Sequence, residues 1–203
     1  MRGIQIFIEG GSDKNASLPL RCGFGVFLSA LREAARMRRL RWSIFLSGSR
    51  GRAFRDFQRA CRLEPERFNV LLVDSEGPVR RRPREHLRQQ DKWRIDQSEE
   101  HVHLMVQVME AWIVADVAAL RGFYGQGFRE SGLPDTSDVE AIPKEGLAEG
   151  LEQATRNTSK GAYHKIRHAG PLLAKIDANV VREKAKHCER LSRTVLDIIE
   201  AQA

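Results

Sequence analysis

Three cysteines, at positions 22, 61 and 188, are too few and too scattered for a disulfide framework or a four-cysteine zinc site, so reduced thiols are expected. No uninterrupted apolar stretch approaches the roughly 18 residues of a membrane span. No Gly-x-x-x-x-Gly-Lys-Ser/Thr phosphate loop is present, and Ser12, Ser47, Ser75 and Cys22 lack a discriminating nucleophile motif. Only two tyrosines occur, Tyr124 and Tyr163. After Met1-Arg2-Gly3 the chain enters an apolar strand, with no basic segment, signal-like helix or cleavage site. These absences exclude several enzyme classes and lead to the expectation of a cytoplasmic protein without a membrane partner.

The chain of 203 residues is 41% hydrophobic and 30% charged, a globular composition with enough length for a substantial core. Its net charge of +7 favours a polyanionic partner. The basic excess is uneven. Arginines cluster over residues 32–59 and again at 80, 81, 82, 84 and 88, around two acidic segments.

The first of those segments is Ile4-Gln5-Ile6-Phe7-Ile8-Glu9-Gly10, an apolar run that ends in an acid and a glycine. It reads as a buried strand delivering a carboxylate to the rim of a sheet. The second is Phe68 to Val73, followed by Asp74-Ser75-Glu76. A turn at residues 9–13 and a helix over 18–39, with Phe24, Phe27, Leu28 and Leu31 on one face, separate the first strand from another at 42–47. A helix over 52–61 then leads to the third strand, and a polar helix over 83–90 and a fourth strand at 101–107 follow. Alternating strands and helices of these lengths imply parallel pairing by crossovers. The expected fold is therefore α/β, with a central, mostly parallel four-stranded sheet in a three-layer Rossmann-like arrangement.

Beyond residue 120, Gly122, Gly125, Gly127, Gly132 and Pro134 mark an irregular loop. Helices are expected at 145–155, after 161 and over 181–199, giving a C-terminal helical extension at 121–203 packed on a core at 1–120. The extension is not expected to be an independent domain.

Glu9, Asp74 and Glu76 form the candidate metal set, with Glu110 as a fourth oxygen donor. Magnesium takes hard oxygen ligands and can stand beside a substrate phosphate, activating water and neutralising charge during phosphodiester cleavage. Manganese is its usual substitute. Glu110 and Asp116 lie six residues apart and reach one site only if a helix begins near Glu110 or the chain bends; otherwise Asp116 orients a neighbour or caps structure. Arg50, Arg52 and Arg55 after the second strand, with Lys160, Lys165 and His164 from the extension, are candidates for substrate phosphate contact. Packing or solvent-facing roles are as compatible with His164 and Lys165. His101 and His103 are expected to share a strand face in packing or surface polar roles, and Met109, Trp112 and Ile113 to pack a helix on the sheet.

The segments IFIEGGSDK, VLLVDSEGP and HLMVQVMEAWIVAD, with GLPDTSDVEAIPKE and KGAYHKI further on, resemble the DUF4276 family, whose domain looks like a divergent Toprim fold. The resemblance implies that Glu9, Asp74 and Glu76 take the magnesium-binding role of the Toprim glutamate and acidic pair. This chain has Asp-Ser-Glu where the pair is usually Asp-x-Asp, one methylene longer at the second acid. It further implies a magnesium-dependent nuclease acting on DNA or RNA, in a phage-defence or mobile-element system with an ATPase partner, and compatible with a homo-oligomer. The competing expectation is a noncatalytic adaptor or sensor that keeps the scaffold and binds an ATPase or nucleic acid.

Overall fold

The computed structural model describes residues 1–11 and 14–202, and the side chains of all these but 14–16; the 12–13 part of the expected turn lies outside the described residues. Strand β1 (Gly3–Ile8) is followed by helices α1 (Lys14–Phe27) and α2 (Ser29–Met37), strand β2 (Arg41–Leu46), helix α3 (Arg50–Leu63) and strand β3 (Phe68–Asp74). Helix α4 (Pro83–Gln90) and strand β4 (Val102–Met105) complete the sheet-forming part. The remainder is helical: α5 (Glu110–Ala115), α6 (Val117–Tyr124), α7 (Lys144–Thr155), α8 (Lys165–Leu173), α9 (Ala178–Lys184) and α10 (Lys186–Glu200).

The four strands pair in the order β2-β1-β3-β4, and every pairing is parallel. Strand alternation sorts their side chains into two cores. Ile4, Ile6 and Ile8 with Val70 and Leu72 face one side, where α1, α2, α5, α8 and α10 cover them; Phe7, Leu71, Val73 and Leu104 face the other, under α3 and α4. The α/β expectation is met, with a sheet between two helical layers. Each such side chain removed from water contributes about 1.5–3 kcal/mol, and apart from Gln5, Asn69 and the terminal Asp74 the side chains of β1 and β3 are apolar on both faces.

Two expected helices are broken. The run expected over 18–39 divides at Leu28, whose ψ of 15° leaves the helical well, so that Phe24, Phe27, Leu31 and Ala35 all stay against the sheet. The terminal helix divides at Ala185, which is extended at φ −133° and ψ 94°. There Lys184 donates from Nζ to the Ala115 carbonyl at 2.8 Å, and its own carbonyl accepts from Val139 N at 3.2 Å. Those two tertiary bonds outbid continuation of the helix.

Helix α8 is pressed onto α1 through glycine. A Cβ on Gly23 would lie 2.4 Å from the Gly170 carbonyl oxygen, and one on Gly170 would lie 2.4 Å from the Pro19 carbonyl carbon. Backbone meets backbone there, and the contact carries the start of α8, with Lys165, to the C-terminal edge of the sheet. Gly170→Ala is expected to destabilise the fold by about 2 kcal/mol through overpacking. Gly25, two residues along α1 from Gly23, has open space around it. Gly25→Ala should therefore stabilise by about 0.5–1 kcal/mol through helix propensity. Urea unfolding midpoints of the two variants check both signs.

Candidate metal centre

The site is built by pairing register. Ile8 stands opposite Leu72 in parallel strands, so β1 and β3 release their next residues side by side at the same edge. The chain then turns at Gly10, whose φ of +124° is open to glycine alone among ordinary residues. Gly10 and Gly48 exchange backbone hydrogen bonds at 2.8 and 2.9 Å, tying the ends of β1 and β2 together. Asp74, the last residue of β3, is buried, and Glu76 lies two residues on with a left-handed φ of 60°.

One carboxylate oxygen from each of Glu9, Asp74 and Glu76 lies within 4.8 Å of the other two. The group could hold a metal ion. Opposite oxygens on one magnesium ion are about 4.2 Å apart, and wider on calcium, so a small side-chain rotation or one bridging water brings the set to either. Each acid already has one oxygen in use. Glu9 Oε2 accepts from Asp74 N at 3.2 Å and from Arg50 Nη1 at 3.4 Å, Asp74 Oδ1 accepts from Met109 N at 2.8 Å, and Glu76 Oε2 accepts from Lys144 Nζ at 3.0 Å. Their second oxygens have no donor among the described residues. A hard-oxygen set of this kind fits magnesium or manganese better than a softer ion.

Burial pushes the Asp74 carboxyl up to about 8; Lys165 pulls it back, while Glu9 and Glu110 push it further. Burial likewise raises Glu9, with Arg50 opposing and Glu76 adding to the rise. Crowded acids with too little solvent are what a bound cation relieves.

Glu110 opens α5, and that short helix ends before Asp116. Glu110 accepts from Tyr163 OH and Lys165 Nζ, both at 3.2 Å, so it stands behind Lys165 and outside the three-acid group. Asp116 takes no part. It caps α6 by accepting from Ala119 N at 3.0 Å and also accepts from Asp177 N at 2.8 Å. Lys165 lines a cavity of about 290 Å³ with Glu9, Gly11, Ser49, Asp74 and Met109. Burial lowers its ammonium pKa, but Glu110 and Asp74 outweigh this and the net shift is upward, so it stays charged.

Arg50 is fully engaged. Its Nε and Nη2 reach Asp91 at 2.8 and 2.9 Å, its Nη1 donates to the Asp74 carbonyl, and its guanidinium lies 5.3 Å over the Trp93 ring. Arg52, Arg55 and Lys160 are exposed and do not line this cavity; Arg52 faces Asp56 at 3.8 Å and Lys160 stands 5.3 Å over Phe123. His164 is exposed and donates its backbone N–H to His168 at 3.1 Å. His101 precedes the strand in a short 3₁₀ turn, while His103 is fully buried, its Nε2 donating to the Glu100 carbonyl at 2.9 Å and its pKa driven down to about 3 by burial and Arg190. Met109, Trp112 and Ile113 are core residues, with Trp112 stacked on Phe27 at 5.2 Å.

Asp91, Lys144 and Tyr163 are the partners that reading along the chain missed. Each acts across 41 to 68 residues, and although Lys144 and Tyr163 lie in the family-like segments GLPDTSDVEAIPKE and KGAYHKI, neither segment names the acid its residue meets.

In the metal-free protein, a folded-state Asp74 pKa of about 8, far above its unfolded value, means the native state keeps a proton the unfolded state loses. Its stabilising contribution is full below about pH 4 and disappears as pH rises through 8. Asp74→Asn retains an acceptor for Met109 N and should raise metal-free stability at pH 8 by a few kcal/mol, while leaving stability at pH 4 nearly unchanged. Manganese at a hundred times its Kd should stabilise the wild type by about 2.7 kcal/mol and Asp74→Asn hardly at all. Thermal melts across pH, with and without the ion, measure both.

A family model described as "Domain of unknown function (DUF4276)" matches residues 8–196. Comparison with curated proteins and with solved structures finds no match. Among the described residues no helix is long and apolar enough to cross a membrane. The family match covers nearly the whole chain, bears out the resemblance of its three acidic and apolar segments, and shows that this protein belongs to the DUF4276 family.

Proposed function

We propose that this protein is a magnesium-dependent nucleic-acid phosphodiesterase. The observation that carries the reading is the convergence of Glu9, Asp74 and Glu76 within 4.8 Å at the ends of adjacent parallel strands, beside a charged lysine. When bound there, magnesium would supply charge neutralisation at a phosphodiester and an activated water. The chain's own groups divide the remaining work. Glu9, Asp74 and Glu76 would hold the ion, and Lys165, its side chain more than half exposed beside the cavity, meets a phosphate oxygen with Nζ. Glu110 and the buried hydroxyl of Tyr163 orient that lysine. Arg50 acts on Glu9 and not on substrate, because Asp91 occupies its fork from the other side.

Lys144 stands against Glu76 as a counter-charge in the metal-free protein, and it must release that oxygen or share the acid when the ion enters. The setting implied by the Toprim resemblance, an effector with an ATPase partner in a phage-defence or mobile-element system, belongs to this proposal and rests on that resemblance alone.

The test is hydrolysis of labelled single-stranded and duplex DNA and RNA in manganese or magnesium against chelator, paired with calorimetric manganese binding. Glu9→Gln and Asp74→Asn should each lose at least 100-fold in rate together with manganese affinity. Lys165→Ala should lose about 10- to 100-fold in rate and keep the ion. A wild type that takes up no manganese, or hydrolysis indifferent to the two acid substitutions, would overturn the reading.

A further inference from the structure

On the far side of Arg50 from the acids lies a second and larger depression, about 860 Å³, between α4 and the extended segment that follows it. Five cations line it: Arg82, Arg84, Arg88, Lys92 and Arg94. The three acids in its walls are each answered locally. Glu85 faces Arg81 at 2.7 Å, Asp96 faces Arg94 at 3.2 Å, and Glu99 accepts from Arg84 N at 3.0 Å with the Arg84 guanidinium 3.8 Å away. Arg82, Arg88 and Lys92 have no carboxylate within 4 Å among the described residues, and all three are exposed.

The floor is aromatic and rigid. Trp93 stacks on Phe54 with ring centroids 4.3 Å apart and planes 4° apart, and its ring carries the Arg50 guanidinium at 5.3 Å. Arg50 therefore touches Trp93 in the floor of this groove and Glu9 of the acidic group with one side chain. None of the large apolar side chains exposed on the protein, such as Leu18, Met37 or Leu63, lies in it. For apolar anchors a protein partner would find only Trp93 and Ile95 among the five cations. A phosphate backbone needs none, because charge neutralisation and counterion release supply its affinity.

We propose that this groove is a nucleic-acid backbone track, in which Arg82, Arg88 and Lys92 hold the phosphates of a strand outside the acidic cavity. The inference deepens the phosphodiesterase reading by naming where substrate lies, but the binding it describes requires no metal and no hydrolysis.

The experiment is fluorescence anisotropy of labelled single-stranded and duplex DNA and RNA in chelator, over a salt series, with the full chain. The triple variant Arg82→Gln, Arg88→Gln, Lys92→Gln should bind at least tenfold more weakly, and its plot of log K against log salt should be shallower by about 2.1 on single strands and about 2.7 on duplex DNA, the share of three lost phosphate contacts. A charge-matched control, Arg21→Gln, Arg38→Gln, Lys175→Gln, changes three exposed cations elsewhere and should bind as the wild type does. Melting temperature and manganese calorimetry should be unchanged in both triples. The proposal is overturned by a wild type that binds no nucleic acid at low salt, by equal losses in both triples, or by polyglutamate competing as well as nucleic acid, which would assign the groove to an acidic protein. Loss of manganese-dependent hydrolysis in the wild type with binding intact would instead remove the phosphodiesterase reading and leave the groove standing.

Discussion

Parallel pairing of β1 with β3 is the constraint on which the rest of this molecule depends. Antiparallel strands would deliver Glu9 and Asp74 to opposite edges of the sheet; in parallel they emerge together, and the Ile8 to Leu72 register sets them beside one another. Parallel pairing in turn requires crossovers, and the covering helices they supply bury both sheet faces. The apolar sequences of β1 and β3 and the acids at their ends are thus two results of one topology.

What that topology creates is an unfavourable concentration of negative charge, which the fold contains without abolishing. Three cations stand around the acids, each from a different part of the chain: Arg50 on Glu9, Lys144 on Glu76 and Lys165 on Glu110. None contacts Asp74 through a side-chain ion pair, and Asp74 is the acid that burial drives furthest from its ordinary range. The most destabilised carboxyl sits at the centre of the group and its counter-charges lie at the periphery. Local instability of this kind, retained within a packed core, is found at functional positions.

The strand ends were legible because they follow from local pattern. An apolar run closing on an acid and a glycine identifies a buried strand and its exit, and the helix over Pro83 to Gln90 announced itself by proline at its first position. Less legible were the breaks at Leu28 and Ala185, where nothing in residue type departs from helical preference; beside the second, Lys184 makes two tertiary bonds. The roles of the candidate cations were also hidden. Arg50, Arg52 and Arg55 look equivalent in sequence, yet only the first meets Asp91 and the acids, because helical rotation turns the other two into solvent. Tyr163 was visible as one of two tyrosines, but its hydrogen bond to Glu110 spans 53 residues and has no signature along the chain.

The position of Arg50 has a consequence for how this surface could be altered. A planar guanidinium has donors enough to grip Asp91 with one edge while reaching the Asp74 carbonyl and Glu9 with another, and its flat face lies against Trp93. A lysine ammonium is a single compact point of charge and could serve one neighbour at a time. Exchange of one cation for the other would preserve net charge and still uncouple Asp91, at the end of α4, from the rim of the sheet.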